Sequence, residues 1–130
     1  MQLVMHVLLV SSSITARTLN MKKDIGRPFN EDELIAQLGK MTFFAICGGK
    51  FAIWQPEGET VEADFWCGNG YRVRITLGWD DTWTVQRIFV RKGQVSIKGE
   101  MKGVYADQVS DIAYKASCYR SYEFGDKVKA

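Results

Sequence analysis

The sequence predicts one α+β domain, an antiparallel meander sheet of about five strands with two helices packed on one face. Residues 71–102 contain three successive segments in which apolar and polar residues alternate, and this period of two is typical of half-buried strands. Residues 31–39 and the segment that follows Tyr105 instead repeat apolar residues at spacings of three and four, which is typical of amphipathic helices. A chain of 130 residues suits a single domain with its own hydrophobic core.

Composition and charge limit the classes of protein to which the chain can belong. Hydrophobic residues make up 46% and charged residues 25% of the chain, which indicates a folded globular protein and not a disordered one. The formal net charge is only +2, so any electrostatic function must depend on where the charges lie. Cys47, Cys67 and Cys118 form no CxxC pair and leave at least one thiol unpaired, which favours a reducing compartment such as the cytoplasm.

Residues 1–20 are expected to lie outside the main domain. They open with an apolar run that is too short to span a bilayer and lacks the basic segment and cleavage pattern of a signal peptide. Met21 then opens a segment that leads into a helix cap, so residues 1–20 are interpreted as an upstream extension or, alternatively, as an edge strand. The domain is predicted over residues 21–125, followed by a mobile tail over residues 126–130.

The first helix is predicted over residues 31–39. Asn30 offers an N-cap side chain, and Glu33 lies three residues further on, in the arrangement of a capping box. Gly39 is a natural C-terminal stop. The apolar face of this helix comprises Leu34, Ile35 and Leu38.

A β-hairpin is predicted over residues 41–54. Two apolar runs flank Gly48 and Gly49, a pair that readily adopts the positive φ of a tight turn. Both runs are apolar on both faces, so the hairpin must be covered, either by other parts of the domain or by a second copy of the chain. The oligomeric state is therefore left open.

An acidic loop is predicted over residues 55–70, with a short strand around residues 61–65. It contains no basic residue, and its carboxylates are of the type that holds a hard cation. Their spacing matches no calcium-binding loop and no histidine is nearby, so the segment is interpreted as a solvated loop and no metal site is predicted. The carboxylates are those of Glu57, Glu59, Glu62 and Asp64.

The register of the meander determines which side chains share a face. With Asp80-Asp81 and Lys92-Gly93 as the two turn pairs, antiparallel pairing gathers the apolar residues of three strands on one core face. That face comprises Tyr71, Val73, Ile75, Leu77, Thr84, Ile88, Val90, Val95, Ile97 and Met101. The opposite face carries the cations Arg72, Arg74, Arg87, Arg91 and Lys98, with Val85, Phe89, Ser96 and Glu100 among them.

The last helix is predicted to begin at Tyr105 and to cover the core face of the meander. Its apolar positions recur at helical spacing, whereas its polar side chains point outward. The apolar positions are Tyr105, Val109, Ile112, Ala116 and Tyr119.

The predicted basic face is the strongest functional signal in the sequence. In this register Arg74 lies opposite Arg87, which lies opposite Lys98, and like charges across a sheet cost stability unless an anionic partner offsets them. With Phe89 available for stacking, the face could bind phosphates and unpaired bases, so nucleic acid is the first candidate partner. The alternatives are an acidic protein partner, a solvated face, or neutralisation by Glu100 and the acidic loop.

No catalytic residue, metal site or cofactor is predicted. The single histidine is His6, in the segment placed outside the domain, so histidine-dependent hydrolase and metal chemistry is disfavoured. The glycine-rich segments lack the spacing of nucleotide-binding fingerprints. Cys118 has basic neighbours in Lys115 and Arg120, which could activate its thiol, but a role as a small buried apolar residue is preferred.

Three segments resemble small uncharacterised proteins encoded by bacteriophages of actinobacteria. These segments are PFNEDELIAQLGKMTFFAICGG, GYRVRITLGWDDTWTVQRIFVRKG and VYADQVSDIAYKASCYRSYEFG. The resemblance covers roughly residues 25–125 and supports a start at Met21. It brings no established activity or site, but it implies a viral protein that acts in the cytoplasm of its bacterial host.

Two hypotheses for the function follow. The first is a non-enzymatic phage accessory protein that binds an anionic partner, nucleic acid first, through the basic face. The second is a protein-interaction module that modulates a host bacterial factor through the acidic loop and the tryptophans of the Asp80-Asp81 turn. Trp79 and Trp83 flank that turn, so at least one of them is expected to be exposed, although packing of the hairpin end also accounts for them.

Overall fold

The structure, a computed structural model, describes residues 26–125 of the chain. The expectations for residues 1–20 and for the tail over residues 126–130 lie outside the described residues. The helices are α1 (Glu31–Leu38), α2 (Lys40–Cys47) and α3 (Val109–Ser117). The strands are β1 (Phe51–Trp54), β2 (Glu62–Gly68), β3 (Tyr71–Leu77), β4 (Trp83–Arg91) and β5 (Gln94–Val104).

The five strands form one antiparallel sheet in the order β1-β2-β3-β4-β5. Each strand pairs with its neighbour in sequence, which is the topology of a meander. The predicted α+β class is confirmed, but the described residues contain three helices where the sequence predicted two. None of these three helices is long and apolar enough to cross a membrane.

α1 begins as predicted, because the side chain of Asn30 accepts a hydrogen bond from the N–H of Asp32 at 2.8 Å. The last helix differs from its prediction, since α3 begins at Val109 and not at Tyr105. The N–H of Gln108 donates to the carbonyl of Tyr105 at 2.9 Å, so the residues before α3 form a turn. The predicted apolar stripe is consequently wrong at Tyr105, whose side chain is exposed.

The segment before Gly48 is a helix and not the first strand of the predicted hairpin. Gly48 does adopt a left-handed conformation, with φ of 59°, but it ends α2 as a C-cap and donates its N–H to the carbonyl of Phe44. In α2, Phe43 and Ile46 are buried while Phe44 is exposed. This helical period is hard to recognise in the sequence because the run is short and apolar on both sides.

The predicted acidic loop is shorter than expected. β2 begins at Glu62 and continues to Gly68, so the second half of the segment belongs to the sheet. The loop between β1 and β2 is reduced to residues 55–61. Glu62 and Asp64 are therefore strand residues, and their side chains contact Arg74 of the neighbouring strand β3.

The core lies between the helices and one side of the sheet. We call this the helix side, and the opposite side of the sheet the far side. All three helices contribute buried side chains to a single cluster with β2, β3 and β4. On the helix side Phe65, Val73, Ile75 and Val85 are 0% exposed. The helix residues in this core are Leu34, Leu38, Phe43, Ile46, Cys47, Val109, Ala113 and Ala116.

The register between β3 and β4 differs by one residue from the predicted one. Arg87 lies opposite Val73 and not opposite Arg74. A shift of one residue moves every side chain of β4 to the other face of the sheet. The predicted core face is therefore correct for β3 and wrong for β4, where Val85 faces the core and Ile88 faces the far side.

The cause of the shift is the loop between β3 and β4. Residues 78–82 form a five-residue loop, whereas the sequence predicted a turn of two residues. The N–H of Gly78 donates to the carbonyl of Thr82 at 2.8 Å. The carboxylate of Asp80 accepts hydrogen bonds from both the N–H and the hydroxyl of Thr82, at 3.2 and 2.7 Å. An aspartate that closes its own loop in this way offers an alternative to a tight turn.

The turn between β4 and β5 is as predicted. Lys92 and Gly93 form it with positive φ angles of 51° and 77°. A β-bulge further along the pair places Arg87 opposite Gly99 and not opposite Lys98. The predicted row of three cations across β3, β4 and β5 therefore does not form.

Candidate functional site

The six predicted site residues do not share one face of the sheet. Arg72 and Arg74 lie on the far side. Because side chains alternate along a strand, Arg87, Phe89 and Arg91 of β4 face the helix side. The continuous basic face predicted from the sequence is therefore wrong, and the reason is the register of β4.

On the far side, Arg74 is held by two carboxylates of β2. Its Nε donates to Oδ1 of Asp64 at 2.9 Å and its Nη2 donates to Oδ2 of the same residue at 3.1 Å, which makes a bidentate pair. The same Nε lies 3.2 Å from Oε2 of Glu62. Burial alone lowers the pKa of Arg74, but the two carboxylates outweigh this effect and raise the pKa above its ordinary value.

Arg72 is the second cation of the far side. Its Nη1 lies 4.0 Å from Oδ2 of Asp64, and its Cζ lies 4.5 Å from the centroid of the Trp66 ring. Burial lowers the pKa of Arg72, and the carboxylate of Asp64 partly offsets that effect. Both far-side arginines are thus engaged within the protein, by carboxylates that the sequence analysis assigned to the acidic loop.

On the helix side, Arg87 is 6% exposed and caps the C-terminus of α3. Its Nε donates to the carbonyl of Ala116 at 2.7 Å, and its Nη2 donates to the carbonyls of Lys115 and Cys118 at 2.9 and 3.3 Å. The last carbonyls of a helix lack partners within it, and a positive charge is favourable at this end of the helix dipole. Burial lowers the pKa of Arg87. No local sequence pattern indicates this cap, because β4 and α3 meet only in the folded chain.

Phe89 and Lys98 lie close to each other beyond the end of α3, and Arg91 follows Phe89 on the same face of β4. Since Arg87 already reaches the last turn of α3, the later residues of β4 extend past the helix. The Nζ of Lys98 lies 5.9 Å from the centroid of the Phe89 ring, and that ring lies 5.0 Å from the ring of Tyr71. Phe89 and Lys98 are therefore brought together, and Arg91 lies two residues further along β4 on the same face, so the surface is smaller than predicted.

The two tryptophans that flank the β3–β4 loop have different environments. Trp83 is 5% exposed, donates its Nε1–H to Oε1 of Gln37 at 2.8 Å and packs edge-on against Phe29. Trp79 is 73% exposed. The expectation that at least one of the pair is exposed is confirmed, and Trp79 is the residue concerned.

Trp79 lies in a strongly acidic corner of the molecule. Three chain segments meet there, because the segment before α1 pairs with the end of β3 and with the β1–β2 loop. The acidic corner comprises residues 26–33, 55–61 and 78–82. Within these segments one cation, Arg27, stands against the carboxylates of Glu31, Asp32, Glu33, Glu57, Glu59, Asp80 and Asp81.

Hydrogen bonds fix the three segments of the acidic corner to one another. The N–H of Arg27 donates to the last carbonyl of β3 at 2.7 Å, and the N–H of Phe29 donates to the carbonyl of Thr60 at 2.9 Å. The hydroxyl of Thr60 donates to Oε1 of Glu31 at 2.9 Å. Arg27 also forms an ion pair with Asp81.

A cavity of about 210 Å³ opens beside Trp79. Its walls combine apolar and acidic side chains in one small depression, so it offers both a ring face and hydrogen-bond acceptors to a ligand. It is lined by Pro28, Pro56, Val61 and Trp79, and by the carboxylate residues Glu57 and Glu59.

The cysteines are free thiols and form no disulfide. Burial raises the pKa of Cys47, and it raises the pKa of Cys67 to about 12, so both thiols are protonated at neutral pH. Within residues 26–125, no group of three or more histidine, cysteine, aspartate or glutamate side chains is placed to hold a metal ion.

Comparisons with protein-family models, with curated proteins and with solved structures find no match to this chain. The function must therefore be inferred from the surfaces that the chain itself forms. Two of them combine aromatic rings with an excess of charge of one sign: the acidic corner around Trp79, and the basic surface around Phe89.

Proposed function

We propose that the protein is a non-enzymatic interaction module whose acidic corner binds a basic, extended segment of a partner protein. The observation that carries this proposal is the indole of Trp79, which is 73% exposed beside a partly apolar cavity. A large ring in solvent is unusual for a globular protein, and tryptophan is enriched among the residues that dominate binding energies.

Charge supports a basic partner. Glu57 and Glu59 line the same cavity as Trp79, and the surrounding segments add further carboxylates. A lysine or arginine side chain can lie over the face of an indole ring and donate hydrogen bonds to a carboxylate at the same time. An acidic partner, the alternative expected for the basic face, is repelled from this corner.

The loops that form the acidic corner are ordered before any partner arrives. Phe29 and Thr60 are joined through their backbones, and the carboxylate of Asp80 closes the loop that carries Trp79. Binding to such loops requires little additional ordering, so less of the interaction energy is lost as conformational entropy.

The setting of this function follows from the resemblance to actinobacterial phage proteins. A viral protein inside a bacterial host meets host proteins with exposed basic segments, and binding to one of them would modulate that host factor. The proposed location is accordingly the host cytoplasm.

A peptide of eight arginines tests the acidic corner directly. We expect it to bind the wild-type protein at low salt, with the indole N–H resonance of Trp79 shifting on titration. Trp79→Ala should raise the dissociation constant about tenfold or more, which corresponds to about 1.4 kcal/mol of binding free energy. Isothermal titration calorimetry measures both constants.

A matched pair of charge variants provides the control. Glu57→Gln removes a carboxylate of the acidic corner, whereas Glu123→Gln removes an exposed carboxylate outside it. We expect only the first variant to weaken peptide binding. If Trp79→Ala binds the peptide as tightly as the wild type, or if the two glutamate variants weaken it equally, the proposal is wrong.

A further inference from the structure

A second surface combines aromatic rings with cations where the β4–β5 hairpin extends past α3. The rings of Tyr71 and Tyr119 are stacked, with centroids 4.1 Å apart and planes within 7° of parallel. Phe89 lies against Tyr71 at 5.0 Å. Asn69 donates a hydrogen bond of 2.9 Å to the hydroxyl of Tyr119 and so fixes this ring. We call this surface the aromatic ledge, and its residues are Tyr71, Phe89, Arg91, Lys98, Tyr119 and Arg120.

The cations of the aromatic ledge are exposed. The Nζ of Lys98 lies 5.9 Å from the Phe89 centroid, and the Cζ of Arg120 lies 5.5 Å from the Tyr119 centroid. Neither cation, nor Arg91, forms an ion pair with a carboxylate among residues 26–125. They differ in this from Arg74, whose charge is already neutralised on the far side.

A cavity of about 270 Å³ lies beside the aromatic ledge, between β4, β5 and the segment after α3. The cations Arg87, Lys98 and Arg120 line it together with one carboxylate residue, Glu123. The backbone of Phe124 crosses so close to Gly99 that a Cβ at that position would clash with the Phe124 carbonyl oxygen. The guanidinium of Arg87 is held in this cavity by its hydrogen bonds to the end of α3, so cations outnumber carboxylates in the lining.

The rings of Tyr71, Phe89 and Tyr119 are partly exposed. We propose that the aromatic ledge binds single-stranded nucleic acid, with bases packed against the exposed parts of these rings and phosphates held by Arg91, Lys98 and Arg120. Base stacking on aromatic side chains requires base faces that are free, and a duplex hides them. The surface is independent of the acidic corner, because the two lie at opposite ends of β4. Repulsion of phosphates from the acidic corner also directs an oligonucleotide to the ledge.

A labelled oligonucleotide of twelve thymidines tests this proposal by fluorescence anisotropy at low salt. We expect the double variant R91E/K98E to weaken binding about tenfold or more, and to reduce the slope of log K against log salt by about 1.4, since each phosphate contact to a single strand contributes about 0.7. Phe89→Leu keeps an apolar side chain on β4 but removes the stacking ring, and should weaken binding about fivefold or more.

The matched control is K40E/K102E, which changes the net charge by the same amount at two exposed lysines outside the aromatic ledge. Its affinity should fall much less than that of R91E/K98E. Equal losses for the two double variants, or no binding by the wild type, would overturn the proposal. Tighter binding to a duplex of the same length would contradict the stacking mode. None of these outcomes depends on the arginine peptide, so the two proposals fail separately.

Discussion

The two sides of the central strands accommodate the same residue type in opposite ways. On the far side Arg74 is neutralised by the carboxylates of Asp64 and Glu62. On the helix side Arg87 donates to neutral carbonyl oxygens at the end of α3 and lies over the ring of Phe124, without a carboxylate partner among residues 26–125. The position of an arginine in the register, and not its place in the sequence pattern, therefore determines its partner and whether its charge reaches solvent.

This comparison also explains where free charge remains. Cations near the middle of the sheet are used internally, by an ion pair on one side and by a helix cap on the other. Cations further from the centre, such as Arg91 and Lys98, are exposed and have no carboxylate partner among residues 26–125. The stability of the fold and the binding proposals can therefore be tested on different arginines.

Arg74→Met is expected to change the stability of the protein more than any other substitution considered. Asp64 and Glu62 are only 12% and 13% exposed in their side chains, and the substitution removes the cation that pairs with both. We expect the free energy of unfolding to fall by about 3 kcal/mol, as is typical when one partner of a buried ion pair is deleted. Urea unfolding measures this. Arg91→Met, at the exposed end of β4, should change stability by no more than about 0.5 kcal/mol, and a similar loss for both variants would contradict the far-side ion pair.

A smaller loss of unfolding free energy, about 2 kcal/mol, is expected for Arg87→Met. Three carbonyls at the C-terminal end of α3 lose a charged donor, but no opposite charge is left buried. Arg87→Lys should recover part of this loss, since an ammonium group keeps the charge at the helix end but cannot reach the carbonyls as a fork. Thermal and urea unfolding of the three proteins decide the point. Equal stability of the methionine and lysine variants would mean that the charge at the end of α3 contributes nothing.

The smallest stability effect concerns the two tryptophans of the β3–β4 loop. Trp83→Phe loses the hydrogen bond from Nε1 to Gln37 and should cost about 1–2 kcal/mol. Trp79→Phe should stay within about 0.5 kcal/mol of the wild type, because the ring is in solvent. A destabilisation by the second variant as large as by the first would show that Trp79 is a packing residue, and would remove the basis of the acidic corner as a binding surface.

Much of the fold could be predicted from the sequence, where local pattern and final environment agree. α1 has its cap in Asn30, and Lys92-Gly93 makes the tight turn that its residues favour. α2 could not be predicted, because a short run that is apolar on two sides suits a buried strand as well as a helix. The predicted register of β4 is wrong because the Asp80 side chain closes a longer loop through Thr82. Two adjacent aspartates in the sequence do not distinguish that loop from a two-residue turn.

The candidate sites could be predicted only in part, and for a related reason. The exposure of a tryptophan beside Asp80 and the acidity of the β1–β2 loop are local features, and both are found. The loop that carries Trp79 and the β1–β2 loop are brought together by backbone contacts of Arg27 and Phe29 with both segments. No local sequence pattern encodes these long-range contacts. The aromatic ledge likewise requires Tyr119, from the end of the chain, to stack on Tyr71.

The register of β3 and β4 decides the placement of every charge in this account, and it can be measured by nuclear Overhauser contacts between backbone protons of the two strands in solution. The structure predicts direct cross-strand contacts of Val73 with Arg87 and of Ile75 with Val85. Contacts of Arg74 with Arg87 instead would contradict it. They would return Arg87 to the far side beside Arg74 and remove the buried cap of α3.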